Sequence, residues 1–181
     1  ILYSPFDITR LLRIEGNAIG ILLGNGRFSP PDSVVEKTPM ILKKYNSMPM
    51  VLAQLQIEFS DDTTTTISTD STWKIRTGPI VSNDIYDGER YDARLEQPGW
   101  DAPDFDDADW QPAQQAQQPA GELVSQAAFP AIKICRTMQP QRLATPKPGV
   151  YIYDFGQNFT GWVKLRVSGP CGTEVTLHYA E

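Results

Sequence analysis

An alternation of apolar and polar side chains at residues 51–59 constrains the fold more than any other feature of the sequence. Apolar residues occupy every second position of this stretch, and Gln54, Gln56 and Glu58 stand between them. This two-residue period predicts a strand with one buried face. Residues 60–62 (SDD) predict a turn, and the β-branched run at residues 63–69 (TTTTIST) predicts a return strand. The sequence therefore predicts a β-hairpin.

Other segments give the same kind of signal, and no pattern predicts a helix of ten residues or more. Strands are predicted at residues 18–24, 73–76, 91–96 and 131–138, and a second hairpin pairs residues 163–168 with 175–179. Residues 7–13 predict a capped single helical turn, residues 27–49 an irregular loop, and residues 139–149 a connector between domains. The tract at residues 111–121 (QPAQQAQQPAG) is too low in complexity to form a core. Short strands between turns predict an all-β fold, either a β-sandwich or a jelly roll.

Composition excludes several classes of protein. The 181 residues are 40% hydrophobic, which is enough for a core, and the net charge of -6 disfavours nucleic acid and anionic membranes as partners. No run of ~18 apolar residues and no signal peptide is present. Both ends of the sequence predict that the chain is a piece of a longer polypeptide. Cys135 and Cys171 are compatible with one disulfide or with two free thiols.

Aromatic and acidic residues are concentrated in residues 69–110, which contain three of the four tryptophans. Aromatic rings beside carboxylates are what a carbohydrate surface needs, since the ring stacks on sugar C–H groups and the oxygens accept hydrogen bonds from hydroxyls. The acidic run at residues 104–109 does not follow the EF-hand pattern. It is more typical of a tight turn in which Asp side chains cap backbone N–H groups and Trp110 packs beneath.

The residues of other catalytic chemistries are missing. His178 is the sole histidine and lies on the polar face of a predicted strand, which favours a solvated residue over a ligand. No zinc spacing, nucleophile elbow or glycine-rich phosphate loop is present, and residues 24–26 (GNG) predict a turn. Paired carboxylates could hydrolyse glycosides, but a count of acidic residues does not identify a pair.

Several of these segments resemble a known family. Residues 69–74, 78–94 and 98–110 resemble the N-terminal β-sandwich region of bacterial α-L-rhamnosidases of glycoside hydrolase family 78. Residues 6–28 resemble the segment that precedes these motifs in the family, and residues 151–181 resemble the opening of the next domain. The most specific motif is DIYDGERYDAR, at residues 84–94. The resemblance implies a galactose-binding-like jelly roll at residues 1–142, followed by a connector and the first strands of another β domain at residues 143–181. The departures are the Asp61-Asp62 turn, where glycine is usual, and the Gln/Ala tract at residues 113–120.

The resemblance also implies a function. Family members remove terminal α-L-rhamnose with an acid and a base carried on a separate (α/α)6 barrel, so no residue of this chain is predicted to be catalytic and no cofactor is required. The implied partners are a rhamnose-containing glycoside or polysaccharide and the other domains of the parent chain, in the periplasm or outside the cell. In some relatives the sandwich binds L-rhamnose through calcium, which makes Asp87 a candidate calcium ligand. The candidate sugar-binding residues are Asp84, Tyr86, Asp87, Glu89 and Trp110.

Three hypotheses follow, and each predicts a different structure. A supporting module of a rhamnosidase should bury Trp73, Trp100 and Trp110 in a core or interface. A carbohydrate-binding module should present an exposed aromatic ring beside fixed carboxylates. An independent enzyme should hold two carboxyl groups ~5–9.5 Å apart in a pocket that raises the pKa of one of them.

Overall fold

The computed structural model describes residues 1–26, 28–30, 48–84, 87–117 and 121–180. The chain divides into two units, Ile1–Gln126 and Ala127–Glu181. Within the described ranges ten short strands pair as five two-stranded ladders, and helical structure is limited to two 3-10 turns. The predicted all-β class is confirmed. The predicted domain boundary after residue 142 stays a prediction.

The hairpin predicted from the alternating stretch forms as expected. Strands β2 (Gln54–Glu58) and β3 (Thr64–Ser68) run antiparallel, with Leu55 opposite Ile67. Leu55 and Ile57 are half-buried, whereas the polar residues between them are exposed. The two-residue period therefore reports the burial of this strand correctly.

The turn of this hairpin explains how two aspartates replace a glycine. Asp62 adopts a φ of 64°, a left-handed conformation that Asp tolerates better than most residues. The Asp61 carboxylate accepts hydrogen bonds from the Thr63 N–H and hydroxyl groups, with Oδ1 at 3.1 and 2.6 Å. These bonds favour the ionised carboxylate and lower the pKa of Asp61. The same Asp-x-Thr arrangement recurs at residues 7–9 and 70–72.

The first unit contains three further ladders. Strand β1 (Leu2–Tyr3) pairs in parallel with β8 (Val124–Ser125), β4 (Lys74–Ile75) pairs antiparallel with β7 (Gln111–Pro112), and β5 (Ile80–Asp84) pairs antiparallel with β6 (Gly88–Tyr91). The 3-10 turns lie at Thr9–Leu11 and Ala93–Leu95. The first of these confirms the predicted helical turn. The second shows that the predicted strand at residues 91–96 is wrong beyond Tyr91, because the Asp92 carboxylate accepts the Arg94 N–H and bends the chain.

The second unit differs from the prediction in where its hairpin lies. Strands β9 (Arg142–Lys147) and β10 (Val150–Asp154) form an antiparallel hairpin, whereas the sequence predicted a connector over residues 139–149. Gly149 has a φ of 78° at the turn between them, a conformation that glycine adopts at little steric cost. Prolines at one strand of a two-stranded ladder are tolerated because an edge strand needs few of its N–H groups.

Three other predicted strand segments do not join a ladder. Residues 18–24, residues 131–138 and the predicted hairpin at residues 163–179 lie outside the strands of the described chain. At the last of these a turn does form, since the Thr173 N–H donates to the Pro170 carbonyl at 3.1 Å. Alternation predicts which side chains share a face, but a ladder also requires a partner strand within hydrogen-bonding distance. The predicted loop at residues 27–49 lies largely outside the described residues.

Large apolar side chains remain accessible in both units. None of the large side chains in the described residues is fully buried, and Ile14 and Ile132 are 106% and 98% exposed. Both cysteines are free and exposed. The described part of the chain contains no helix that is long and apolar enough to cross a membrane.

Candidate functional site

The β5–β6 hairpin places three of the predicted sugar-binding residues together. Asp84 ends β5, and its carboxylate Oδ1 accepts the Asp87 N–H at 2.6 Å across the turn. Gly88 opens β6 with a φ of 83°, which a side chain would disfavour. Glu89 is exposed and lies opposite Asn83 in the ladder. Tyr86 lies outside the described residues. The hairpin therefore presents Asp84, Asp87 and Glu89 at one end of one element.

Trp110 is half-buried, and it contacts Gln97 and Phe105, which are not part of that hairpin. Its indole Nε1–H donates to Gln97 Oε1 at 3.1 Å, and its ring meets Phe105 edge-on at 5.7 Å between centroids. The Gln97 Nε2 in turn donates to the Thr77 carbonyl at 3.3 Å. The polar end of the indole is thus engaged inside the protein. Sugar stacking on Trp110 stays a prediction, and so do the other predicted sugar contacts.

The acidic run before Trp110 forms the capped turn that the sequence favoured. Asp106 Oδ1 accepts the Ala108 N–H at 3.1 Å, and the Trp110 N–H donates to the Asp107 carbonyl at 3.0 Å. Lys74 of β4 adds an ion pair, with its Nζ 2.7 Å from Asp107 Oδ1. These contacts fasten the turn to the β4–β7 ladder. The Asp106 carboxylate therefore accepts a backbone N–H of its own turn, and the Asp107 carboxylate pairs with Lys74 of a neighbouring strand.

Calcium needs several oxygen ligands that converge on one point. Among the described residues, no three acidic, histidine or cysteine side chains are grouped closely enough to hold a metal ion. The Asp84 carboxylate already accepts the Asp87 N–H. These residues do not by themselves fit a calcium site, and the predicted calcium ligand Asp87 stays a prediction.

The DIYDGERYDAR motif stabilises its own conformation. The Arg94 guanidinium contacts the Asp92 carboxylate through both Nε and Nη2, at 2.8 and 2.6 Å. The side-chain hydrogen bonds from Arg94 lower the pKa of Asp92 to about 2. The Tyr91 hydroxyl donates to Glu96 Oε1 at 2.6 Å, and this bond raises the pKa of Tyr91. The chain after β6 is therefore held by side chains of the motif and by Glu96, which follows it.

Sequence reasoning missed a pair of asparagines that joins the loop at residues 24–26 to strand β5. The Asn25 N–H donates to Asn83 Oδ1 at 2.8 Å, and Asn25 Nδ2 donates to the Asn83 carbonyl at 3.1 Å. A Cβ atom at Gly24 would lie 3.2 Å from Asn83 Nδ2, so the absence of a side chain at this position permits the close approach. We call this pair the Asn25–Asn83 clasp. The GNG segment signalled a turn, but its partner 58 residues away could not be read from the sequence.

A shallow depression of about 240 Å³ is formed by residues on either side of Asn25 in the chain, together with Pro49 and Met50. It is lined by Leu23, Phe28, Pro49 and Met50 together with Gly24, Gly26 and Ser29. Gly26 closes the loop by donating its N–H to the Ser29 carbonyl at 3.2 Å. The side chains that line the depression are therefore mostly apolar.

Comparison with known proteins connects this structure to one family. Residues 1–136 match the family described as alpha-L-rhamnosidase N-terminal domain, and residues 144–181 match the bacterial alpha-L-rhamnosidase concanavalin-like domain. The chain belongs to the α-L-rhamnosidase family. This confirms the resemblance inferred from the motifs, and the predicted β-sandwich class agrees with the all-β structure.

Curated relatives and solved structures give the same result. An alpha-L-rhamnosidase of Streptomyces avermitilis is 37% identical over 99% of this chain, and one of Formosa agariphila is 39% identical over 92%. The solved α-L-rhamnosidase of Dictyoglumus thermophilum is 46% identical, with a TM-score of 0.57 over 61% of this chain and 12% of its own. The Streptomyces avermitilis enzyme complexed with L-rhamnose is 40% identical, with a TM-score of 0.55 over 59% of this chain and 10% of its own. The chain spans only 17% of the length of each of these two curated relatives.

Proposed function

We propose that the chain is a non-catalytic N-terminal part of an enzyme that hydrolyses terminal α-L-rhamnose from glycosides. Its role is to support the domain that carries the catalytic residues. The observation that carries this proposal is the match of residues 1–136 to the N-terminal domain of the α-L-rhamnosidase family. Because the chain spans 17% of its relatives, most of a rhamnosidase lies outside the matched region.

The environments of the carboxylates support a non-catalytic role. A glycosidase needs one carboxyl group whose pKa is raised so that it can donate a proton. The pKa of Asp92 is instead lowered, to about 2, by its side-chain hydrogen bonds from Arg94. Asp84 and Asp106 accept hydrogen bonds from backbone N–H groups, and Asp107 pairs with Lys74. These contacts use the carboxylates to hold turns in place.

A chimera tests the supporting role. The matching N-terminal segment of the Streptomyces avermitilis enzyme is replaced by this chain, and a deletion variant of the same enzyme lacks the segment altogether. We expect the chimera to hydrolyse p-nitrophenyl α-L-rhamnoside, the deletion variant to lose soluble expression or activity, and the isolated chain to be inactive. A deletion variant as stable and active as the chimera would contradict the supporting role. Turnover by the isolated chain that one carboxylate substitution abolishes would contradict the non-catalytic assignment.

A second candidate function is a carbohydrate-binding module for L-rhamnosides. The polar end of the β5–β6 hairpin, with Asp84, Asp87 and Glu89, favours it. Calorimetry with L-rhamnose, with and without calcium, tests this function. This second function predicts a heat of binding that Asp87→Ala removes, whereas no heat at millimolar sugar would leave the supporting role alone.

A further inference from the structure

The Asn25–Asn83 clasp contains the one asparagine of this sequence that is followed by glycine. In such a pair the backbone nitrogen of the glycine can attack the side-chain amide carbon of the asparagine and close a succinimide ring. Glycine has no Cβ to obstruct this approach. Glycine also precedes Asn25, at position 24, so no neighbouring side chain shields the amide. The sequence therefore places an asparagine with high intrinsic reactivity inside the clasp.

In the folded chain both reacting groups are engaged in other bonds. The Gly26 N–H donates to the Ser29 carbonyl at 3.2 Å, which holds the proton that the attacking nitrogen must lose. The Asn25 Nδ2, which must leave, donates to the Asn83 carbonyl at 3.1 Å. The Asn25 backbone N–H donates to Asn83 Oδ1 at 2.8 Å. Ring closure requires the Asn25 side chain to turn towards Gly26, and the clasp holds it towards Asn83.

The reacting pair lies close enough to the surface for water to reach it. Asn25 and Gly26 are half-buried, and Gly24 and Gly26 line the shallow depression. Surface loops open locally at a lower cost in free energy than global unfolding. Opening of the loop at residues 24–26 therefore frees the amide and the nitrogen together, without unfolding of the rest of the chain.

We propose that Asn25 is a site of spontaneous deamidation and that the clasp controls the rate of this modification. The Gly26 nitrogen forms a bond to Asn25 Cγ, the bond from Cγ to Nδ2 breaks, and ammonia leaves with the proton that the Gly26 nitrogen gives up. Water then opens the succinimide at one of its carbonyl groups, which leaves isoaspartate or aspartate at position 25. The reaction consumes water, releases ammonia and needs no enzyme.

The modified chain is unable to re-form the clasp. An ionised carboxylate has no N–H to donate, so the bond from Asn25 Nδ2 to the Asn83 carbonyl is lost and two acceptor groups face each other. Isoaspartate also adds a methylene carbon to the backbone beside Gly26, which displaces the loop. Deamidation therefore releases the loop at residues 24–26 from strand β5 irreversibly.

Ageing of the whole chain in mildly alkaline buffer tests this proposal, with isoaspartate at position 25 followed by peptide mapping and mass spectrometry. Asn83→Ala removes the Oδ1 acceptor of the clasp and should raise the rate about fivefold, the factor for one hydrogen bond of ordinary net strength. Asn83→Asp keeps an Oδ1 acceptor and should raise the rate less. Wild type unfolded in urea should convert faster than folded wild type, a comparison that needs no variant.

Gly26→Ala is the matched control for the chemistry. No heavy atom lies within 4 Å of a Cβ at Gly26, and its φ is outside the left-handed region, so the fold accepts the substitution. The added methyl group obstructs the attacking nitrogen, and isoaspartate should no longer accumulate at position 25. Aged wild type should unfold at a lower urea concentration than fresh wild type, whereas aged Gly26→Ala should not.

The results that would overturn the proposal differ for its two parts. Absence of isoaspartate in wild type unfolded in urea, or equal conversion of wild type and Gly26→Ala, would refute the site. Equal rates for wild type in buffer and in urea, or for folded wild type and folded Asn83→Ala, would refute control by the clasp. Circular dichroism before ageing establishes which variants are folded.

Discussion

Gly20 packs against the indole of Trp100 so closely that no side chain fits between them. A Cβ atom at Gly20 would lie 2.7 Å from Cη2 and 3.1 Å from Cε3 of Trp100, and closer still to Cζ3. Ordinary van der Waals contact begins near 3.4 Å, and an indole ring cannot bend to make room. Gly20→Ala therefore requires that the ring or the backbone moves. Overpacking of this kind costs ~1–3 kcal/mol, and the reduced entropy of the unfolded chain offsets ~0.4–1 kcal/mol. We expect a net loss of about 0.5–2 kcal/mol in the free energy of unfolding.

Urea denaturation followed by tryptophan fluorescence measures this loss. Gly78→Ala is the matched control, because no heavy atom lies within 4 Å of a Cβ at Gly78, and we expect it to be neutral or slightly stabilising. In a Trp100→Leu background the cost of Gly20→Ala should fall, since the ring that it strikes is gone. Equal stability changes for the two glycine variants, or a cost that Trp100→Leu leaves unaltered, would refute the reasoning.

Three further predictions concern polar contacts. Gln97→Ala removes the acceptor of the Trp110 indole N–H and should lower the free energy of unfolding in urea by about 1–2 kcal/mol. Gln97→Glu keeps that acceptor and should lower it less. Equal losses for the two variants would contradict this prediction. Asp92→Asn removes the negative charge that pairs with Arg94. The pKa of Asp92 falls from 3.8 to about 2 on folding. The difference in unfolding free energy between wild type and variant should therefore be constant above pH ~5 and shrink as pH falls through ~4 to ~2. Urea denaturation at each pH measures this difference, and a difference that persists at pH ~2 would contradict the assignment. Lys74→Met removes the exposed ion pair with the acidic turn and should cost less than about 1 kcal/mol, a loss that 1 M NaCl should diminish; a larger, salt-independent loss would mean that the lysine acts through packing.

Local patterns predicted the elements whose causes lie within a few residues. The β2–β3 hairpin followed from its alternation and its turn, and Asp61 and Asp62 close that turn by bonds to adjacent groups. The acidic turn before Trp110 was predicted for the same reason, since Asp106 caps an N–H two residues away. The family also followed from the sequence, because its motifs lie in uninterrupted segments.

The wrong predictions concern which segments pair as strands. The sequence placed a hairpin at residues 163–179 and a connector over residues 139–149, whereas the structure pairs β9 with β10. Side-chain period does not say which segment supplies the hydrogen-bonding partner, and proline suggests a break even where an edge strand tolerates it.

The sequence by itself determined the all-β class, the capped turns and the membership of the α-L-rhamnosidase family. Tertiary structure decided which distant groups meet: Gly20 with Trp100, Gln97 with Trp110, and Asn25 with Asn83. Each of these contacts joins residues 13 to 80 positions apart. The physical reason is that short-range preferences act through the backbone of a few residues, while such contacts depend on how whole segments are brought together when apolar surface leaves water.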